Sequence, residues 1–129
     1  MLRATGLEKR YGADRSNIAL LSRNRAHWIM ADLAIIASGN VSIPLFTTQT
    51  ADTTKYILEF TEARVVILGE SANWAEVSDI VPDTVDIVTL PGVEIDRPCI
   101  RWQDMLDECK GEASAFEASH DDVISIVFT

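Results

Sequence analysis

Short apolar runs alternate with longer segments of helical period along most of this 129-residue chain. Such alternation predicts a parallel α/β sheet rather than a sandwich or a helical bundle. IALLS, Ile18 to Ser22, reads as the first strand. Asn24 is placed to cap a helix from Arg25 to Ser38, with Gly39 as its stop. That helix carries Trp28, Ile29, Met30, Leu33, Ile35 and Ile36 around much of its circumference, so one sheet face cannot cover it and a second layer is expected. VSIPLF, Val41 to Phe46, is the next strand, and Pro44 removes a ladder donor from it, which places it at an edge or a bend. Thr50 is the expected cap of a helix from Ala51 to Phe60, in which Tyr56, Ile57 and Phe60 share a face.

ARVVILG, Ala63 to Gly69, is the clearest buried strand, and Ser71 is expected to cap a helix over 72–81 that Pro82 and Asp83 end. Val85 to Leu90 forms a fourth strand, Pro91 to Pro98 a loop, and Ile100 to Gly111 a helix stopped by glycine. Leu2 to Tyr11 reads as an opening helix closed by Gly12. The final stretch, DDVISIVFT, sets Val123 to Phe128 as an almost unbroken apolar run of the kind expected for a strand buried on both faces. One threonine follows it, without a turn signal or a polar tail. The expectation is one partial domain over residues 1–129, truncated at both ends, with a mostly parallel sheet and helices on both faces. No internal repeat or interdomain linker interrupts it.

Composition narrows the function classes. A chain that is 47% apolar and 24% charged is globular, and a net charge of −9 argues against a nucleic-acid or anionic-membrane binder. The charge is uneven: residues 1–69 hold eight Lys/Arg against six Asp/Glu, and residues 70–129 hold three against fourteen. A solvated acidic face in the second half accounts for this. Cys99 and Cys109 lack metal-site spacing and read as thiols of a reducing compartment, while His27 and His120 have no sequence-level reason to meet them. No role is assigned to these four residues. The start lacks a signal-peptide pattern, and Trp28 to Ala37 is far short of the ~20 residues that span a bilayer. A cytoplasmic protein is expected.

The six glycines are isolated, so neither GxGxxG nor GxxxxGK[ST] is present and no phosphate cradle can be built from them. Asp121 and Asp122 precede a strand, whereas ligand sites of open α/β sheets lie beyond strand C-terminal ends. By that rule the site-side loops are Arg23-Asn24, Thr47 to Gln49, Gly69-Glu70 and whatever follows Thr129. The residues alone lead to an α/β domain without a self-contained active site.

A resemblance extends the reading. LSxNxxxW at Leu21 to Trp28, ADLAI at Ala31 to Ile35, GxVSxPL at Gly39 to Leu45, Thr50 with KYIL at Lys55 to Leu58, and EARVVILG at Glu62 to Gly69 follow in an order and spacing that resembles the N-terminal subdomain of AMP-dependent synthetases and ligases. Among these the chain is most similar to bacterial long-chain fatty-acid–CoA ligases. DDVISIVFT resembles the family strand that leads into a Thr-Ser-Gly-[Ser/Thr]-Thr-Gly loop holding the phosphates of ATP, and Thr129 matches the first residue of that loop. Backbone N–H groups of a glycine-rich loop can approach phosphate oxygens without Cβ interference.

The resemblance implies a parent enzyme that uses ATP and Mg2+ to convert a fatty acid to an acyl-adenylate and then passes the acyl group to coenzyme A. No catalytic or metal-binding residue is expected within the chain, which by itself is expected to be inactive, to bind none of these cofactors tightly and to self-associate. Peripheral membrane contact is an expectation for the parent only. Two other readings stay open here: a fragment of an aryl- or aminoacyl-activating member, and a stand-alone flavodoxin-like binding module.

Overall fold

The computed structural model describes residues 7, 10, 11, 15–108 and 119–128. Five strands form one sheet: β1 (Asn17–Leu21), β2 (Val41–Leu45), β3 (Val65–Leu68), β4 (Asp86–Thr89) and β5 (Ile100–Arg101). Their spatial order is β2-β1-β3-β4-β5, and every pairing between them is parallel. Between and after them run α1 (Ala26–Ala37), α2 (Ala51–Thr61), α3 (Trp74–Ser78) and α4 (Trp102–Glu108). Leu7, Arg10 and Tyr11 are helical; the rest of the expected opening helix, and the stop at Gly111, lie outside the described residues.

Alternation of side chains along the strands builds two cores. Ile18, Leu20, Val65, Ile67 and Val88 face Leu7, Tyr11, Ala31, Ala34, Ile35, Trp102 and Met105. Ala19, Leu21, Ile43, Val66, Leu68 and Ile87 face Ile57, Leu58, Val77 and Val81 on the other side. Helices therefore cover both faces, as the sequence pattern requires. On α1, Ala31, Ala34 and Ile35 are buried, but Ile29 and Leu33 are exposed, so the described residues do not supply the second layer expected over that helix.

Several local readings shift. The cap of α1 is Arg25 in extended conformation, with no side-chain bond, and Asn24 does not cap it. Thr50 does cap α2, its Oγ1 accepting from the Thr53 N–H at 3.2 Å. Helix α3 is a single short piece, and Ser71 donates to Asn73 Oδ1 rather than capping it. Ile100 and Arg101 add a strand to the sheet before the α4 helix begins. The largest departure is the terminal segment. Val123 to Phe128 lies beside β2 as expected for a parallel partner, yet it makes one bridge, Ser42 to Ser125, and Val123 and Val127 are 54% and 56% exposed. It is a half-open edge segment, not a strand buried on both faces.

Buried polar groups fasten the loops at the N-terminal edge. Asn40, fully buried, accepts from the Ser16 N–H at 2.9 Å and donates to Ser38 Oγ at 2.8 Å. Tyr11 donates to Asp86 Oδ2 at 2.7 Å, with the Arg64 guanidinium 5.6 Å from its ring centre. Burial, then the hydrogen bond and the negative charge of Asp86, push the Tyr11 phenol well above its ordinary value, outweighing Arg10 and Arg64. Because the folded-state value is the higher one, the associated stability is complete below the unfolded tyrosine range, near pH ~10, and is lost as pH rises past it. The urea midpoint is expected to fall more between pH 8 and pH 11 in the native chain than in Tyr11→Phe; equal falls would show that Tyr11 carries no such linkage.

Candidate functional site

From β1 the chain crosses one way to β2, while β3, β4 and β5 extend the other way, so the topological switch lies between the C-terminal ends of β1 and β3. A cleft of about 520 Å³ opens on this side of the sheet. Ser22, Arg23 and Asn24 come from the loop after β1, Pro44 to Thr48 from the end of β2 and its loop, Trp28 from the first turn of α1, and Ala72 from the loop after β3. Apolar side chains (Trp28, Pro44, Leu45, Phe46) and polar ones (Ser22, Asn24, Thr47, Thr48) line it together, the usual makeup of a site that accepts an organic body and orients it through a few polar groups. A second cleft of about 380 Å³, lined by Thr89 to Glu94 and Arg101 to Gln103, lies at the β4–β5 end of the sheet, away from the switch.

Three loops are tied together around the first cleft. Gly69 N–H donates to Leu21 O at 2.8 Å and Arg23 N–H to Glu70 O at 2.9 Å, continuing the β1–β3 pairing past the strand ends. The Arg23 guanidinium meets Glu70 Oε1 at 2.9 Å, a pair exposed enough for solvent to screen it strongly. On the other side Asn73 Nδ2 donates to Gln49 O at 3.1 Å, and Gln49 N–H closes back onto Phe46 O at 3.1 Å. Gly69 is required by space: a Cβ there would fall on Ser22 Oγ and Cβ and touch Leu90 Cδ1 at 3.0 Å. The first turn of α1 adds no acidic residue and Arg25 no side-chain cap, so the helix begins here with its N–H ends uncompensated by carboxylate.

The structure thus gathers the loops that the crevice rule selects, 23–24, 47–49 and 69–70. Sequence reasoning missed Ser22, Trp28, Pro44, Leu45, Phe46 and Ala72 as lining residues. Trp28 carried a signal: it stands four residues after Asn24, one turn into a helix that starts at the crevice. Thr129 lies outside the described residues. Asp122 pairs with Arg15 at 3.4 Å at the entry of the terminal segment, away from the cleft lining. His27, His120 and Cys99 do not line the cleft, and Cys109 is outside the described residues. Among the described residues no three His, Cys, Asp or Glu side chains are gathered as a metal ion would require, so none is assigned to Mg2+. Among them, too, no helix is long and apolar enough to cross a membrane.

Comparison with known proteins gives one family and a consistent set of relatives. The profile of the family described as AMP-binding enzyme matches residues 2–129. A long-chain-fatty-acid–CoA ligase of Rattus norvegicus, ACSBG2, is 23% identical over 108 residues, 79% of this chain and 15% of its own length. The long-chain-fatty-acid–CoA ligase FadD15 of Mycobacterium bovis is 30% identical over 79 residues, 58% of this chain and 13% of its own. The chain therefore spans about one seventh of the curated relatives it matches. Among solved structures, the anthranilate CoA ligase AuaEII superposes with a TM-score of 0.81 at 18% identity, covering 96% of this chain and 24% of that one. The long-chain-fatty-acid-CoA ligase FadD1 of Archaeoglobus fulgidus gives 0.80 at 14% identity, with 99% and 25% covered. The fold is that of adenylate-forming acyl-CoA ligases.

Gly69→Ala is expected to destabilise the chain by about 1–3 kcal/mol through overpacking. Adding Ser22→Gly, which removes the opposing atoms, should restore part of that loss in denaturant titration. A neutral Gly69→Ala would mean that β1 and β3 diverge at the cleft.

Proposed function

The chain belongs to the AMP-binding enzyme family, and from that premise we propose that it is the N-terminal part of a fatty-acid–CoA ligase. The whole enzyme would activate a fatty acid with ATP to an acyl-adenylate, release pyrophosphate and transfer the acyl group to coenzyme A. The observation that carries this reading is the family match over residues 2–129; the curated relatives described above, both long-chain-fatty-acid–CoA ligases, support the acid class. Solved neighbours at 14–20% identity include anthranilate, benzoate and fatty-acid ligases. They share the fold and do not choose among acids.

In this reading the chain supplies the scaffold that carries the phosphate loop, and Thr129 is its first residue. Two observations support it: the segment before Thr129 runs parallel to β2, and the C-terminal ends of the strands are where the switch-point cleft opens. ATP, Mg2+ and coenzyme A belong to the whole enzyme, in the cytoplasm, with peripheral membrane contact when it meets its fatty acid. No residue of this chain is given a catalytic role. Catalysis of adenylation rests on oriented donors and cations at the phosphates, and losing one such donor costs about 10²–10³ in rate.

Carboxylate-dependent exchange of labelled pyrophosphate into ATP tests this directly. No exchange above background is expected from residues 1–129 alone, and exchange with long-chain fatty acids is expected from the full-length protein. Activity of the short chain would overturn its assignment as an inactive part, while a full-length protein silent with fatty acids and active with aryl acids would move it to the other branch of the family.

The isolated chain would also self-associate. Ile29 and Leu33 on α1, Tyr56 and Phe60 on α2, and Val123 and Val127 on the terminal segment are exposed apolar side chains, and such patches beside an open strand edge recruit other molecules. Light scattering at high micromolar concentration is expected to give a dimer or larger species. A strict monomer without bound lipid or detergent would refute this.

A further inference from the structure

Residues 119–128 have few backbone ties to the sheet. Ser42 donates its N–H to Ile124 O at 2.9 Å and accepts from the Ile126 N–H at 3.0 Å. The next outward position on β2 is Pro44, which has no N–H, so the next ladder donor is missing. Yet the segment is seated in one place, with Ile126 and Phe128 packed against the α2 side of the sheet and Phe128 edge-on to Phe60 at 5.9 Å.

A third attachment comes from Arg15. Its Nη2 donates to Val123 O at 2.6 Å, its Nη1 meets Asp122 Oδ1 at 3.4 Å, and its Nε donates to Gly39 O at 2.9 Å. One guanidinium therefore joins the turn after α1 to the start of the terminal segment. Asp122 is oriented in turn by the Ser119 N–H, which donates to its other oxygen at 2.8 Å. The Arg15 backbone is left-handed, with φ 39°, a conformation that disfavours any residue with a Cβ and that persists only where surroundings enforce it. Next in sequence, the Ser16 N–H is held by buried Asn40. An arginine serving only as a solvated charge would need neither that backbone nor two carbonyl acceptors. The ion pair itself is long and a third exposed, so screening leaves it weak, and the directional bonds to Val123 O and Gly39 O carry the attachment.

We infer that Arg15 is a positioning residue that latches residues 119–128 onto the β2 edge and thereby fixes the direction in which the chain leaves Phe128. The latch stands on geometry alone. Its consequence for ATP rests on the ligase reading above, in which Thr129 opens the phosphate loop: Arg15, far from the nucleotide in sequence, would set where that loop lies.

Amide hydrogen exchange on residues 1–129 tests the latch. In Arg15→Gln, exchange at Ser42 and Ile126 is expected to rise about tenfold, with Gly69 and Leu90, whose N–H groups tie β1 to β3 and β3 to β4, unchanged. Arg15→Lys, which keeps the charge but cannot span three acceptors, should fall between. Unchanged exchange at Ser42 and Ile126, or equal acceleration at all four amides, would overturn the proposal.

In the full-length protein Arg15→Gln is expected to raise the KM for ATP severalfold and leave the KM for the fatty acid unchanged, with Arg15→Lys recovering part of the loss. An unchanged ATP KM alongside accelerated exchange would overturn the link to phosphate binding. Absence of pyrophosphate exchange in the unsubstituted full-length protein would overturn the ligase reading, and the amide measurement would still decide the latch.

Discussion

Strand β1 is paired in parallel along both edges, with β2 on one side and β3 on the other, so neither of its faces can be left to water and each connection must cross the sheet. Ile18, Ala19, Leu20 and Leu21 are all fully buried in consequence, split between the two cores. Each large apolar side chain among them contributes about 1.5–3 kcal/mol. The same constraint locates the cleft. Chain leaving β1 turns toward β2, chain leaving β3 turns toward β4, and the loops that part at their C-terminal ends leave a gap bounded by Ser22, Arg23 and Ala72. Gly69 sets how closely the two strand ends approach before they part.

What could be read from the sequence was what burial dictates over several residues. The runs at 18–21 and 65–68 are apolar because both faces are covered, and the side on which helices lie follows from the parallel pairing. Thr50 was legible because an N-cap is a contact within four residues. Asn24 fails by the same rule: the chain after Ser22 is held by Glu70 rather than by the helix, so Arg25 takes the extended cap position and Asn24 lines the cleft. Ile100 and Arg101 were read as helix because a two-residue strand has no period of its own; it exists only because β4 offers an edge.

The terminal segment shows how composition and environment can diverge. Val123 to Phe128 has the apolar, β-branched character of a central strand, but its neighbour lacks a ladder donor at Pro44, and among the described residues nothing pairs with its far side. Propensity specified extended backbone and left the environment open. Long-range polar groups then did what a ladder would otherwise do. Asn40 holds Ser16, Ser16 follows a left-handed Arg15, and Arg15 reaches across to residues more than a hundred positions later. No local pattern announces such a chain of contacts, because its hydrogen bonds join residues that are distant in sequence.

The strand order itself does not distinguish the readings that the sequence left open. β2-β1-β3-β4-β5 is also the order of flavodoxin-like sheets, in which a self-contained module binds its ligand at the same switch point. Fold alone would therefore support a free-standing binding module as well as part of a ligase. What separates them is the match of residues 2–129 to AMP-binding enzymes together with the content of the crevice. A module that holds a phosphate at the switch needs donors in the loop after β1, usually with glycine to let the backbone approach. Here that loop is Ser22-Arg23-Asn24-Arg25, without glycine, and Arg23 is turned to Glu70. The glycine at the switch, Gly69, is consumed by packing against Ser22. In the ligase reading proposed above, the phosphate-holding loop would follow the terminal segment, and the sheet's part would be to hold that segment in register. On that reading the bridge at Ser42, the proline that limits it and the arginine that reinforces it would serve that task.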